Sequence, residues 1–162
     1  MIKVSTDKAP AAIGPYSQAV KCGDFLFTSG QIPLCAKTGE VVGTTIKEQA
    51  EQVMKNMQGV LESQNLCFTS VVKTTCFLAD MADFATFNEV YAKYFTGNPA
   101  RSCVAVKTLP KNVLCEVEAI VSLHGADCPS SITEQPCSLC IGGNGDTSTA
   151  GDATHMFEGK GL

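Results

Sequence analysis

Hydrophobic positions along this chain follow two periods. Stretches of period two, which read as strands, surround two stretches of helical period. Residues 17–21 and 25–29 read as two short strands separated by Cys22-Gly23-Asp24, a tight turn, so the pattern predicts a hairpin. Gly30-Gln31-Ile32-Pro33 ends it, and Lys37-Thr38-Gly39-Glu40 is another turn. From Thr45 the period changes. Ile46, Ala50, Val53, Met54, Met57, Val60 and Leu61 fall on one helical stripe. Thr45 and Glu48 have the spacing of a capping box, and Asn65 is a plausible stop. Residues 71–78 have strand composition. A second helix runs from Met81 or Asp83 to Phe95, with Phe84, Phe87, Val90, Tyr91, Tyr94 and Phe95 as its apolar side and Asn88 near that stripe. Thr96-Gly97-Asn98-Pro99 breaks it, and residues 101–107 and 113–123 are strands on either side of a turn at Leu109-Pro110-Lys111-Asn112. In the last strand Cys115, Val117, Ala119, Val121 and Leu123 make a uniformly apolar face. Leu114, Glu116, Glu118, Ile120 and Ser122 make a mixed one.

The order β-β-α-β-α-β-β predicts an α+β domain with two helices on one face of a sheet. The other face, carrying Thr, Ser, Cys and Val with few charges, is too apolar to meet water freely, which predicts an oligomer built through the sheet. Residues 9–18, with Pro10, Gly14 and Pro15, form no regular element and lead through Tyr16 into the first strand.

Composition divides the chain in two. Residues 1–124 hold eleven basic and eleven acidic side chains, so the net charge of −4 falls in residues 125–162. Those 38 residues are rich in Gly, Ser, Thr and Asp and read as a tail following a folded domain at 1–124. Cys128, Cys137, Cys140 and His155 have a loose resemblance to a zinc ligand set, but incidental cysteines are the commoner explanation. A neutral body and an acidic tail exclude the basic footprint of a nucleic-acid binder. No apolar run is long enough to span a membrane, and the first residues have neither a signal-peptide core nor transit character, so a cytoplasmic protein is expected.

The chemistry concentrates near residue 101. Arg101 is the only arginine among 162 residues, and its guanidinium is a rigid fork matched to a carboxylate or phosphate. Glu116 and Glu118 interrupt the mixed face of the last strand. Two readings stand. Arg101 pairs structurally with one of these glutamates across neighbouring strands, or fork and carboxylates serve a small anionic substrate and a proton-transfer step. Ser29-Gly30, leaving a strand, marks either a simple turn or a place where a ligand approaches the backbone.

Several segments, taken together, resemble the YjgF/RidA family of 2-iminobutanoate/2-iminopropanoate deaminases: Ala11-Ala12-Ile13-Gly14-Pro15-Tyr16-Ser17-Gln18-Ala19, Phe27-Thr28-Ser29-Gly30-Gln31-Ile32-Pro33, Lys37-Thr38-Gly39-Glu40, Val72-Lys73-Thr74-Thr75, Pro99-Ala100-Arg101-Ser102 and Leu109-Pro110-Lys111 leading into Glu116-Val117-Glu118-Ala119. They come in the family's order and cover residues 7–124. The resemblance implies a chorismate-mutase-like fold and a homotrimer with sites in clefts between subunits. It implies hydrolysis of reactive enamines and imines, such as 2-aminoacrylate and 2-iminobutanoate, to 2-keto acids and ammonia, without metal or cofactor. By the same resemblance Arg101 binds the substrate carboxylate, Cys103 offers its backbone carbonyl to the attacking water, and Glu116 orients that water. Tyr16, Ser29 and Gly30 line the pocket, and Glu118 is a lesser candidate for the water-positioning role. Asn88, read from its place near the aromatic stripe and not from the resemblance, is either a substrate contact or a hydrogen-bonded structural residue. Imines hydrolyse unaided, so holding the carboxylate and aiming one water suffices to lower the barrier. The segment between Phe95 and Pro99 is shorter than in many members, and Asn98 replaces a common aromatic, which bears on pocket shape. Two other functions compete: a trimeric 2-keto-acid binding module without turnover, and an RNA-directed translation inhibitor or ribonuclease. The first needs the fork but not the carboxylate; the neutral body argues against the second.

Overall fold

The computed structural model describes residues 1–124 as an α+β domain; the tail and its cysteines lie outside the described residues. Its strands are β1 (Ile2–Val4), β2 (Ala19–Cys22), β3 (Phe25–Thr28), β4 (Val71–Leu78), β5 (Ala100–Ala105) and β6 (Cys115–Ser122), and its helices are α1 (Ile46–Glu62) and α2 (Phe84–Tyr94). They form one six-stranded sheet in the order β1-β2-β3-β6-β4-β5. All pairings are antiparallel except β4 with β5, which α2 connects.

Local chemistry explains the elements. Gly23, with a φ of 57°, makes the hairpin turn that pairs Cys22 with Phe25. Thr45 caps α1: its hydroxyl accepts from the Glu48 N–H at 3.3 Å, and the Glu48 carboxylate accepts from the Thr45 N–H at 3.1 Å. The helix ends at Glu62 with Ser63 as its cap, and the left-handed residue that turns the chain is Asn65, with a φ of 56°. A short 3₁₀ turn at Met81–Asp83 precedes α2.

Both helices cover the same face of the sheet. Ala50, Val53, Met54, Met57, Val60 and Leu61 of α1 and Phe87, Val90 and Tyr91 of α2 are buried against Leu26, Cys76, Leu78, Cys115, Val117 and Val121. The helices are also tied at their rims, where the Tyr94 hydroxyl donates to Glu51 Oε2 at 2.7 Å and Lys93 Nζ to Glu51 Oε1 at 3.1 Å.

The structure departs from the sequence pattern in two ways. A sixth strand, β1, pairs Ile2, Lys3 and Val4 with β2. The uncovered face is less neutral than expected: it carries Lys73, Glu116 and Glu118 as well as exposed Phe25, Phe27 and Val104.

Candidate active site

The strand register separates the residues that the sequence grouped. Arg101 pairs with Thr74 across β5 and β4, and Thr74 with Ala119 across β4 and β6. Glu116 pairs with Phe77, which pairs with Val104. Thr74, Ala119 and Arg101 therefore share the helix-covered face, while Glu116, Glu118, Thr75, Phe77 and Val104 share the other. Strand β4 also lies between β5 and β6. Two strand spacings and three residues of offset put the Arg101 and Glu116 backbones roughly 14 Å apart, with their side chains on opposite faces. The structural ion pair between Arg101 and a glutamate on a neighbouring strand does not form. The guanidinium meets α2 instead: Nη1 donates to Asn88 Oδ1 at 2.7 Å, and Cζ lies 4.7 Å from the Tyr91 ring centroid and 5.6 Å from that of Phe84. No carboxylate pairs with Arg101 among the described residues, and the residue is exposed. A fork has five N–H donors, and the hydrogen bond to Asn88 occupies one of them.

Cys103 lies on the same face as Arg101. Its thiol pKa is pushed up, because partial burial outweighs the nearby Arg101 charge. The Val106 N–H donates to the Leu78 carbonyl at 3.0 Å. By alternation the backbone groups of Ser102 and Val104 face β4, while those of Arg101 and Cys103 face the open edge of the sheet. The Cys103 carbonyl is thereby available, and its thiol is a poor nucleophile.

Glu116 belongs to a second cluster. Gln31 and Val117 exchange backbone hydrogen bonds of 2.8 and 3.1 Å, which holds Gly30 beside Glu116. A Cβ on Gly30 would lie 2.7 Å from Glu116 Cδ and 2.9 Å from Cγ, so only glycine admits the side chain there. What approaches this backbone is the glutamate itself. Half-buried, Glu116 has its pKa raised, first by loss of hydration and then by the like charge of Glu118. Ser29 joins the cluster through its hydroxyl, which donates to the Ser17 carbonyl at 2.6 Å, and its N–H, which donates to the Gln18 carbonyl at 2.9 Å. The Gln18 side chain in turn ties down the loop that carries Tyr16: its amide donates to the carbonyls of Thr6, Ala9 and Pro10, at 3.0, 3.1 and 2.8 Å. Tyr16 is half exposed. Glu118 faces a shallow cavity of about 310 Å³ on the uncovered face, lined by Phe27, Lys73, Thr75 and Ile120 among others.

The structure thus places Arg101, Asn88 and Cys103 on one side of the sheet and Gly30 and Glu116 on the other, with Ser29 next to Gly30 and tied to the loop that carries Tyr16, and within one chain Arg101 and Glu116 do not meet. Tyr91 and Phe84 also reach the guanidinium. Their place on an apolar stripe, one turn to either side of Asn88, was the available signal, but the same stripe describes core residues. No cluster of metal-ligating side chains occurs among the described residues, and no described helix is long and apolar enough to cross a membrane.

Known proteins share this fold. The sequence pattern of the family described as Endoribonuclease L-PSP matches residues 6–123. The chain belongs to the YjgF/RidA/RutC family. A RutC family protein of Pyrococcus horikoshii, PH0854, is 52% identical over 118 residues, covering 72% of this chain and 94% of that protein. The chloroplastic Reactive Intermediate Deaminase A of Arabidopsis thaliana is 51% identical over 121 residues, 74% of this chain and 65% of that protein. Among solved structures, E. coli TdcF with bound serine superposes with a TM-score of 0.72 at 42% identity, covering 75% of this chain and 98% of that one. The family relationship and the α+β fold agree with the sequence reading, and family membership makes this a RidA-type protein.

Proposed function

We propose that this protein hydrolyses small 2-imino and 2-enamino acids, such as 2-iminobutanoate and 2-aminoacrylate, to 2-keto acids and ammonia, at a site shared between two copies of the chain. The observation that carries the reading is the division of the functional groups between the two faces of the sheet. One copy supplies the exposed Arg101 fork and the open Cys103 carbonyl; a neighbour supplies Glu116 with Gly30, Ser29 and Tyr16. An uncovered face with exposed Phe25, Phe27 and Val104 supports assembly through the sheet, and the family resemblance supports a homotrimer. The Arabidopsis relative carries a deaminase name, and the TdcF structure holds serine, a small molecule with an α-carboxylate.

The chemistry follows from the groups. The fork binds the substrate carboxylate through two parallel hydrogen bonds and so fixes the C=N carbon. Water held between Glu116 and the Cys103 carbonyl adds to that carbon, giving a carbinolamine. Collapse of this intermediate breaks the C–N bond and releases ammonia and the keto acid. Glu116, with its raised pKa, accepts one proton of the attacking water and passes it to the imine nitrogen, then takes the carbinolamine hydroxyl proton as the C=O forms and passes it to the leaving amine, so both protons of the water leave on ammonia. Glu118 supports it through charge. All groups required are side chains or backbone of the protein itself.

The test is release of ammonia and keto acid when the protein is added to a threonine dehydratase reaction that generates the enamine in situ. Acceleration over the spontaneous rate is expected; an unchanged rate, with a 2-keto acid still bound, would instead identify a binding module.

A further inference from the structure

Arg101 is a long side chain on an edge strand, exposed on a surface where most arginines sample many rotamers. Here one stripe of α2 holds it. Phe84, Asn88 and Tyr91 are spaced four and three residues apart and so lie on the same side of the helix. Asn88 Oδ1 accepts a hydrogen bond from one Nη1 N–H, which fixes the rotation of the fork, while Cζ lies over the Tyr91 ring at 4.7 Å and over the Phe84 ring at 5.6 Å.

The Tyr91 ring is itself immobilised. It is buried and stacked on Phe95, with centroids 4.2 Å apart and planes at 21°. Its hydroxyl shares a 2.7 Å hydrogen bond with the Thr74 hydroxyl, and Thr74 is also the register partner of Arg101. The residue that sets the height of Arg101 in the sheet thus also anchors the ring under its head group.

We propose that Tyr91, assisted by Phe84 and anchored by Thr74, is a positioning residue that seats the Arg101 guanidinium face-on and directs its remaining N–H donors outward to a planar carboxylate. The seat holds whatever ligand the fork receives; its effect on turnover rests on the deaminase reading. A cation over an aromatic face is attracted by the ring quadrupole, and the attraction strengthens as water is excluded. A ligand covering the fork strengthens the seat, and a seated fork spends less entropy on gripping the ligand.

Because Arg101 is the only arginine, its side-chain N–H signals can be read without assignment in protein labelled with ¹⁵N-arginine. The parent should show an Nε–Hε signal displaced from that of exposed arginine by the ring current. Tyr91→Leu should return it toward the exposed value; Tyr91→Phe and Thr74→Val, which keep the ring but each remove its hydroxyl anchor, should shift it only partway. Phe84→Leu, at a half-buried position with less risk to folding, should also move it. A parent signal at the exposed value, or one indifferent to Tyr91→Leu and Phe84→Leu in folded protein, overturns the proposal. In the same samples kcat/KM for a 2-imino acid should fall about tenfold in Tyr91→Leu, chiefly through KM, and fall less in Tyr91→Phe, which keeps the ring without its anchor. Parity of folded Tyr91→Leu with the parent also overturns it. A parent with a displaced signal and no turnover sinks the deaminase reading and leaves the seat standing.

Discussion

Gly30→Ala adds one methyl group where the structure has no room for it. The new Cβ would meet Glu116 Cδ at 2.7 Å and Cγ at 2.9 Å, and Oε1 more closely still. Carbon atoms in ordinary contact are about 3.5–4.0 Å apart, so the carboxyl end must retreat by about 1 Å. The backbone cannot give way instead, because the paired hydrogen bonds between Gln31 and Val117 hold it on the next residue. Gly30 is not in the left-handed region, so the effect is steric and any β-carbon produces it. A displacement of about 1 Å of a water-orienting group is worth on the order of a hundredfold in rate. Stability should change much less, since the displaced carboxylate moves toward water and loses the desolvation that raises its pKa. Ammonia release and melting temperature on the same sample separate the two effects. Glu116→Gln should lower kcat to a similar degree, and adding Gly30→Ala to it should cost little more, because both act through one side chain. A folded Gly30→Ala protein with parental kcat would refute the placement of Glu116 in the reaction.

Other outcomes follow from the same geometry. Arg101→Lys should keep the fold and lose most turnover, and Arg101→Ala should lose about 1.5–3 kcal/mol of carboxylate binding, read as kcat/KM. The acid limb of the kcat profile should lie above the ordinary glutamate range, because Glu116 must be ionised to accept a proton; Glu118→Gln, which removes a like charge, should move that limb to lower pH. For Glu51, burial raises the pKa but the hydrogen bonds from Tyr94 and Lys93 outweigh it, so the net shift is downward. A depressed carboxylate contributes stability above its unfolded pKa that is lost as pH falls through the folded value. Tyr94→Phe should therefore lower stability by about 1.5 kcal/mol near neutrality and by less in acid, as thermal unfolding against pH would record. Sedimentation should give a mass of three 17.1 kDa chains, and a stable monomer would remove the shared site.

Much of this was legible in the sequence, because the elements are fixed by local chemistry. The α1 stripe, the Thr45–Glu48 box, the Gly23 turn and the alternation of Cys115, Val117, Ala119 and Val121 all depend on near neighbours. Strand β1 was not, because Ile2, Lys3 and Val4 are too few to show a period; the strand is fixed by pairing with β2 and by burial of Val4. Alternation assigns each residue to one of two faces of its own strand, but does not relate those faces between strands. Strand order does that, and the insertion of β4 between β5 and β6 is a long-range fact. It is what turned Arg101 and Glu116 from apparent neighbours into residues on opposite sides of the sheet. Tyr91 was read correctly as apolar and buried, yet an aromatic ring can fill a core with one part and seat a cation with another, and hydrophobic period carries only the first.

The central claim is that Arg101 of one copy works with Glu116 of another, and complementation between inactive variants tests it most directly. Arg101→Ala and Glu116→Ala are each expected to be inactive alone. Co-expressed and assembled together, they should regain ammonia release, because some clefts then combine an intact Arg101 with an intact Glu116. With random assembly of a cyclic trimer, about one cleft in four is restored, so activity should reach about a quarter of the parental value. Activity no higher than that of either variant alone, in samples shown by mass to be mixed trimers, would contradict the shared site.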